Sequence, residues 1–500
     1  MNTAQPSFPT ARALVKYGVD ALGSWREEEV LGDFAREAPK FPADAQVWQM
    51  WGLLHRAVED MEAALQCLTR AAALAPNDPK IAHALALTKL DAGLVAIDEF
   101  MRARQLAPGD LEVLAGMASA LVMAGHPDVA IQGVEQVLAD VPSWSRGLAI
   151  ASHLRWERGD AEGFTRNYAA ARLAHPIAEP LWRDELAALL HARQFDKVYC
   201  LVAEGRSVLG ERAFLTAFEA YALADEGRLV EAEPLFDGLA VSTDSSVQLR
   251  RTRFLLQSGR PDEAASLADH WRTSADPDHF WPYLATAWRL TGDPRAEWLE
   301  GQEGLVGVYD LTDRIPDLGD LAAQLRTFHH ARVQPLTQSL RGGTQTHESL
   351  FGRLDPLIQH LRKGIVEAVE EHIAGLPAHD PAHPQLSPQR GPVRFSGSWS
   401  VRLSGGGSHA NHVHPKGWFS SALYIALPDE IRAEDQAQKG WLTLGEPDAD
   451  LGLDLKPFRT ILPKPGQLVL FPSTLWHGVV PIGAGERLSV AFDIARPPPA

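Results

Sequence analysis

In the stretch SHANHVHPKGWF, His412 and His414 are separated by one residue, and His409 stands three positions earlier. Residues i and i+2 of an extended strand point to the same side, so one backbone segment can aim two imidazoles at one point. A metal site needs a third ligand from elsewhere. His477, 65 residues after His412, ends the apolar stretch LVLFPSTLW and can supply it. Three ligands on one face leave coordination positions open, the layout of a non-haem Fe(II) centre, although imidazole suits zinc as well. Ten residues after His477, Arg487 and Ser489 alternate on one face of the last apolar segment, ERLSVAFD. An arginine directed into an apolar interior is unfavourable unless it meets an anion. Its planar fork suits a carboxylate held by two hydrogen bonds, and a hydroxyl two residues on can add a third. The other histidines have no such partner. His409 reads as a solvated loop residue, and His329, His330, His379 and His383 read as surface positions. Trp399, Trp418, Trp441 and Trp476 read as core or pocket wall.

These residues need strands to hold them. From Val393 onward the hydrophobic period is two. RFSGSWSVRLSGG alternates Phe395, Trp399 and Val401 with polar residues. SALYIAL, GWLTLGEP, RTILPKPGQLVLFPS and RLSVAFDIA are short, apolar and bounded by Pro or Gly. Strands with turn signals and no intervening helices predict an antiparallel sandwich or barrel. Gly405, Gly406 and Gly407 read as a flexible turn, and QSLRGGTQTHESL as a loop. Ahead of the strands, Leu350, Leu354, Ile358, Leu361, Ile365, Val369 and Ile373 recur at helical spacing and predict a long amphipathic helix. Gly375 and Pro377 stop it.

The first three hundred residues have a different period. Prolines after apolar helical stretches fall at Pro76, Pro108, Pro142 and Pro176, in steps of 32, 34 and 34 residues. Glycines recur at the inner turns, as in MAGHPDVA, ERGDAEGF, DEGRLVEA, QSGRPDEA and LTGDPRAE. About seven helix pairs fit between residues 40 and 300, and such pairs must stack because one pair cannot bury its apolar face alone.

Composition limits the partners. The chain of 500 residues carries a formal charge of −17, which argues against nucleic acid or an anionic membrane surface. Its two cysteines, Cys67 and Cys200, cannot staple a chain of this length and fit a reducing compartment. The N-terminal stretch has no apolar core of signal-peptide length, and no apolar run is long enough to span a membrane. A cytoplasmic protein is the expectation.

Two resemblances follow. The 34-residue period, with Trp48, Trp51 and Gly52 in one helix and Ala64, Leu68 and Ala71 in the next, resembles the tetratricopeptide repeat. HVHP (His412 to Pro415), GWLTLGEP, PGQLVLFPSTLWH and ERLSVAFD, in that order, resemble the Fe(II)/2-oxoglutarate-dependent dioxygenases. More narrowly, they are similar to a bacterial group of such oxygenases that often follows tetratricopeptide repeats. The resemblance implies a multidomain chain: an all-α tetratricopeptide-type solenoid over residues 1–304, then an α+β oxygenase domain over 305–500. The latter would have a helical lead-in at 305–377 and a double-stranded β-helix (jelly-roll) core at 393–496. It implies that His412 and His477 ligate Fe(II), with His414 as third ligand or held behind the metal. Arg487 and Ser489 would grip the 2-oxoglutarate carboxylate, with Tyr424 as an additional hydrogen-bonding candidate. Use of O2 would couple cosubstrate decarboxylation to hydroxylation, and the repeats would recruit a protein or peptide. Two departures stand out. The wider superfamily most often has Asp or Glu where His414 stands. Ser421 and Asp493 replace the Gly and Asn usual in the narrower group. A cupin-type three-histidine metalloenzyme without 2-oxoglutarate is a rival, weakened by Trp418 and Phe419 where that family places Glu and by the unexplained Arg487. A non-catalytic repeat scaffold is the other.

Overall fold

The computed structural model describes residues 6–273, 277–347 and 349–498. Helices of one kind recur along the first three hundred residues. The first helices of successive pairs begin at residues 45, 79, 111, 145, 179, 213, 245 and 281, in steps of 34, 32, 34, 34, 34, 32 and 36. Between residues 40 and 300 eight pairs are therefore present rather than about seven, and a further pair, Ala11–Ala21 with Glu27–Glu37, precedes them. The last, Trp281–Thr291 with Arg295–Glu300, has a short second helix, which blurs its sequence signature. Aspartates start many of these helices. Asp44, Asp78, Asp110 and Asp244 each accept hydrogen bonds from backbone N–H groups of the first turn, satisfying donors that the helix itself leaves free. The inner-turn glycines are conformational requirements: Gly125, Gly159, Gly227, Gly259 and Gly292 have φ between 70° and 90°, a region that side chains disfavour.

The chain divides into two compact units, Met1–Gln136 with His347–Lys363, and Val137–Thr346 with Gly364–Ala500. Within the first, residues 350–362 lie along the inner turns of the repeats. The Leu354 N–H donates to Ala92 O at 2.9 Å, Arg362 donates to Glu59 at 3.2 Å, and Leu350 and Phe351 are buried. The amphipathic helix predicted from Leu350 begins only at Pro356 and runs to Ala374. Proline disfavours helical backbone in the residue before it yet suits the first helical position, so Leu350 and Leu354 precede the helix.

The second unit contains an antiparallel sheet of nine strands: β1 Gly307–Asp310, β2 Leu340–Gln345, β3 Phe395–His412, β4 Gly417–Ala426, β5 Leu442–Leu444, β6 Arg459–Ile461, β7 Gln467–Pro472, β8 His477–Val479 and β9 Glu486–Ala495. Their order is β1-β7-β4-β9-β3-β8-β5-β6, with β2 against β3. The long strand β3 serves both halves of this double-stranded β-helix: Phe395–Ser404 pair with β9, while His409 and His412 pair with β8. Two expectations are corrected here. Gly405–Gly407 are not a free turn; they lie inside β3. LRGGTQ is a strand, not a loop. Its Gly343 passes so close to β3 that a Cβ there would sit 2.4 Å from Arg402 O. Glycine-rich strands lack the side-chain alternation by which strands are read from sequence.

Candidate functional site

The pairing of β3 with β8 sets His412 directly opposite His477, and cross-strand partners bring their side chains together. His414 follows on the β3–β4 connection, where its backbone N–H donates to Ser473 O at 2.8 Å and its carbonyl accepts from the Gly417 N–H at 2.9 Å. The three rings converge: centroids are 4.2 Å apart for His412–His477, 4.9 Å for His412–His414 and 5.2 Å for His414–His477. One nitrogen from each lies within 4.8 Å of the others, a spacing able to hold a metal ion.

The other ring nitrogen of each histidine is engaged. Nδ1 of His412 lies 2.8 Å from Ala410 O, Nδ1 of His477 lies 2.9 Å from Leu475 O, and Nδ1 of His414 lies 2.7 Å from a carboxylate oxygen of Asp493. Carbonyl and carboxylate oxygens only accept, so Nδ1 donates in all three. A neutral ring then offers Nε2 as the free lone pair, the arrangement found behind metal-binding imidazoles. Burial holds His412 and His477 neutral, pushing both well below the ordinary histidine range.

Strand β9 furnishes the rest from one face. Arg487, Ser489, Ala491 and Asp493 recur at every second residue, and the first three line a cavity shared with the three histidines. The cavity holds about 540 Å³ of empty space including its mouth, and Gln338, Gln345, Trp399 and Leu442 also line it. Arg487 is 2 % exposed. Its Nε and Nη2 have no hydrogen-bond partner, and Nη1 reaches only Ser489 Oγ at 3.4 Å. No carboxylate pairs with it among the described ion pairs, and burial depresses its pKa. Tyr424, wholly buried on β4, stacks its ring 5.0 Å from the guanidinium carbon. Its hydroxyl is also without a hydrogen bond, and burial raises that phenol to about 12 against the pull of Arg487. A buried cation with two free donor nitrogens is unfavourable by several kcal/mol unless an anion meets it. The donor set therefore fits a carboxylate entering the cavity, and the three imidazoles fit a divalent transition metal beside it.

All six residues singled out from sequence thus come together around one cavity or its arginine wall. Others were misread. His409 is not in a solvated loop: it sits on β3, lines the same cavity, stacks 5.9 Å from His412 and meets Ser339 Oγ at 3.2 Å. Burial pushes it down to about 3. His383 is fully buried and meets Leu299 O at 3.1 Å. His329 bridges Thr344 and Ser400 at 2.8 and 3.1 Å. Asp493 stood out in the sequence as a departure from a family pattern, and the two-residue alternation from Arg487 is the signal that puts it on the same face of β9.

Among curated protein sequences, none matches this chain. Solved structures that it is similar to include a Pseudomonas putida prolyl-4-hydroxylase, at 17 % identity and a TM-score of 0.27, covering 39 % of this chain and 94 % of that one. A tetratricopeptide repeat protein from Parabacteroides merdae is 14 % identical, with a TM-score of 0.31, covering 55 % of this chain and 98 % of that one. The MSR-1 MamA structure is 18 % identical, with a TM-score of 0.28, covering 33 % and 98 %. Over residues 397–493, the span that carries the three histidines, Arg487 and Ser489, the chain matches the family model described as "Putative 2OG-Fe(II) oxygenase".

Proposed function

We propose that the chain is an Fe(II)- and 2-oxoglutarate-dependent dioxygenase acting as a hydroxylase. The observation that carries this reading is the buried Arg487, with two donor nitrogens free, on the wall of the cavity that holds the histidine triad. His412, His414 and His477 would hold Fe(II), and Arg487, Ser489 and Tyr424 would bind the distal carboxylate of 2-oxoglutarate. When bound, the metal and cosubstrate supply O2 activation coupled to oxidative decarboxylation. The protein's part is to hold three imidazoles through their Nδ1–H donors, to orient one end of the cosubstrate, and to keep bulk water from the apolar wall formed by Leu442, Phe471 and Val479. Asp493 would keep His414 in the tautomer that presents Nε2.

In this reading residues 305–500 are catalytic and residues 1–304 recruit a protein or peptide through the repeats. The protein would work in the cytoplasm, where its two free cysteines fit the redox state; no described helix is long and apolar enough to cross a membrane. A cupin-type site without 2-oxoglutarate leaves Arg487 unexplained.

The test is cosubstrate turnover. The purified chain with Fe(II), ascorbate and O2 should release succinate from 2-oxoglutarate, slowly even without the primary substrate. Failure of 2-oxoglutarate both to bind and to turn over would sink the reading.

A further inference from the structure

His477 is presented by a strand of three residues. Its neighbour Trp476 points the opposite way, as alternation requires, and is 3 % exposed. What covers it belongs to the last repeat pair. The Trp476 indole N–H reaches Thr286 Oγ1 at 3.0 Å and Pro282 O at 3.2 Å, both on the Trp281–Thr291 helix. Tyr283 of the same helix meets the Trp476 ring edge-on at 5.5 Å. Thr286 is 1 % exposed, and its own hydroxyl donates to Pro282 O at 2.8 Å. The contact is wide. Trp476 and Leu451 share one apolar cluster with Leu255, Leu256, Ala264 and Ala287 of the repeats.

Polar contacts surround that cluster. Arg253, on the Ser245–Gln257 helix, donates to Asp448 at 3.0 Å. Arg289 donates to Gly445 O and to Lys456 O, the latter at 2.9 Å. The Gly445 N–H in turn donates to Trp476 O at 2.7 Å. The backbone immediately before His477 is therefore tied to repeat helices, while its ring lines the cavity.

We propose that the last tetratricopeptide-type helices are a structural part of the metal centre. Thr286 acts as a positioning residue that fixes Trp476, and through it the backbone presenting His477. This rests on the metal-centre reading given above. The repeats then do more than recruit: the oxygenase core is incomplete without the Trp281–Thr291 helix, and occupancy of the repeat region by a partner has a direct physical route to the metal.

The experiment uses the full chain and Co(II) alone as the probe, with thermal melting measured in parallel. Thr286→Val keeps shape and removes the hydroxyl. It is expected to weaken Co(II) binding about tenfold, the lower range for loss of a group supporting a metal ligand, with the melting temperature nearly unchanged. Thr286→Ser restores the hydroxyl and should restore the affinity. Trp476→Phe, which keeps ring packing and loses the indole N–H, should behave like Thr286→Val. Unchanged Co(II) affinity in Thr286→Val overturns the proposal. So does a loss that tracks a fall in melting temperature and is not rescued by serine. His477→Ala separates the two readings. If it binds Co(II) as well as the unaltered chain, the metal centre itself is wrong. If it loses Co(II) while Thr286→Val does not, only the positioning role fails.

Discussion

At the scale of single residues, the unusual pair is His414 with Asp493. The resemblance drawn from the sequence implies an acid at the first position in the wider superfamily and an amide at the second in the narrower group, and this chain has an imidazole and a carboxylate there. The Asp493 carboxylate lies 2.7 Å from the His414 Nδ1. A carboxylate behind an imidazole raises its basicity and fixes its orientation. Asp493→Ala is therefore expected to weaken Co(II) binding about 10- to 100-fold, with Asp493→Asn weaker than the unaltered chain but better than alanine; calorimetric titration reads both. Arg487 makes a sharper case. Truncating one member of a buried charged pair typically removes about 2–5 kcal/mol of binding. Arg487→Ala should thus lose 2-oxoglutarate binding while Co(II) affinity stays intact. Equal loss of both would show that the arginine supports the fold and not a ligand.

At the scale of elements, the strands carrying chemistry were legible as short apolar segments bounded by Pro or Gly: β4, β7 and β9 lie where those segments placed them. β2 was not, since Leu340–Gln345 is Gly-rich and its burial comes from lying on β3. The Pro356–Ala374 helix adds a pH effect. His372, near its end, is 2 % exposed, meets Tyr309 Oη at 3.0 Å and packs edge-on against Phe419 of β4 at 4.9 Å. Burial lowers it from 6.5 to about 4. The unfolded chain takes up this proton as pH falls through about 6.5, and the folded chain only near 4, so stability is lost as pH drops across that window. His372 alone should contribute roughly 2 kcal/mol of loss between pH 7 and pH 5, at about 1.4 kcal/mol per unit of that separation. His372→Gln should shrink the difference in urea-unfolding stability between those two pH values. An unchanged difference would mean that the site is hydrated.

At the scale of the whole molecule, two compact units each with their own core predict more than one unfolding transition. A ligand stabilises only what folds to bind it. Co(II) with 2-oxoglutarate should raise the transition of the unit containing β1–β9 and leave the other in place, as scanning calorimetry would record. A single transition that shifts as a whole would show the units to be energetically one. The charge of −17 further predicts no retardation of duplex DNA at physiological salt in a gel-shift assay. The repeat period, the strand alternation, and the residue types His412, His414, His477, Arg487 and Ser489 were all set by the order of amino acids, because period and spacing are local properties. Three things depended on tertiary contact. Asp493 became the partner of His414 because β9 crosses the β3–β4 connection. His409 became part of the cavity because β3 continues through its glycines. Trp476 became the link to Thr286 because helices 190 residues earlier in the chain pack behind β8. Each is a meeting of segments distant in sequence, and hydrophobic periodicity reports which face of a segment is buried without naming what buries it.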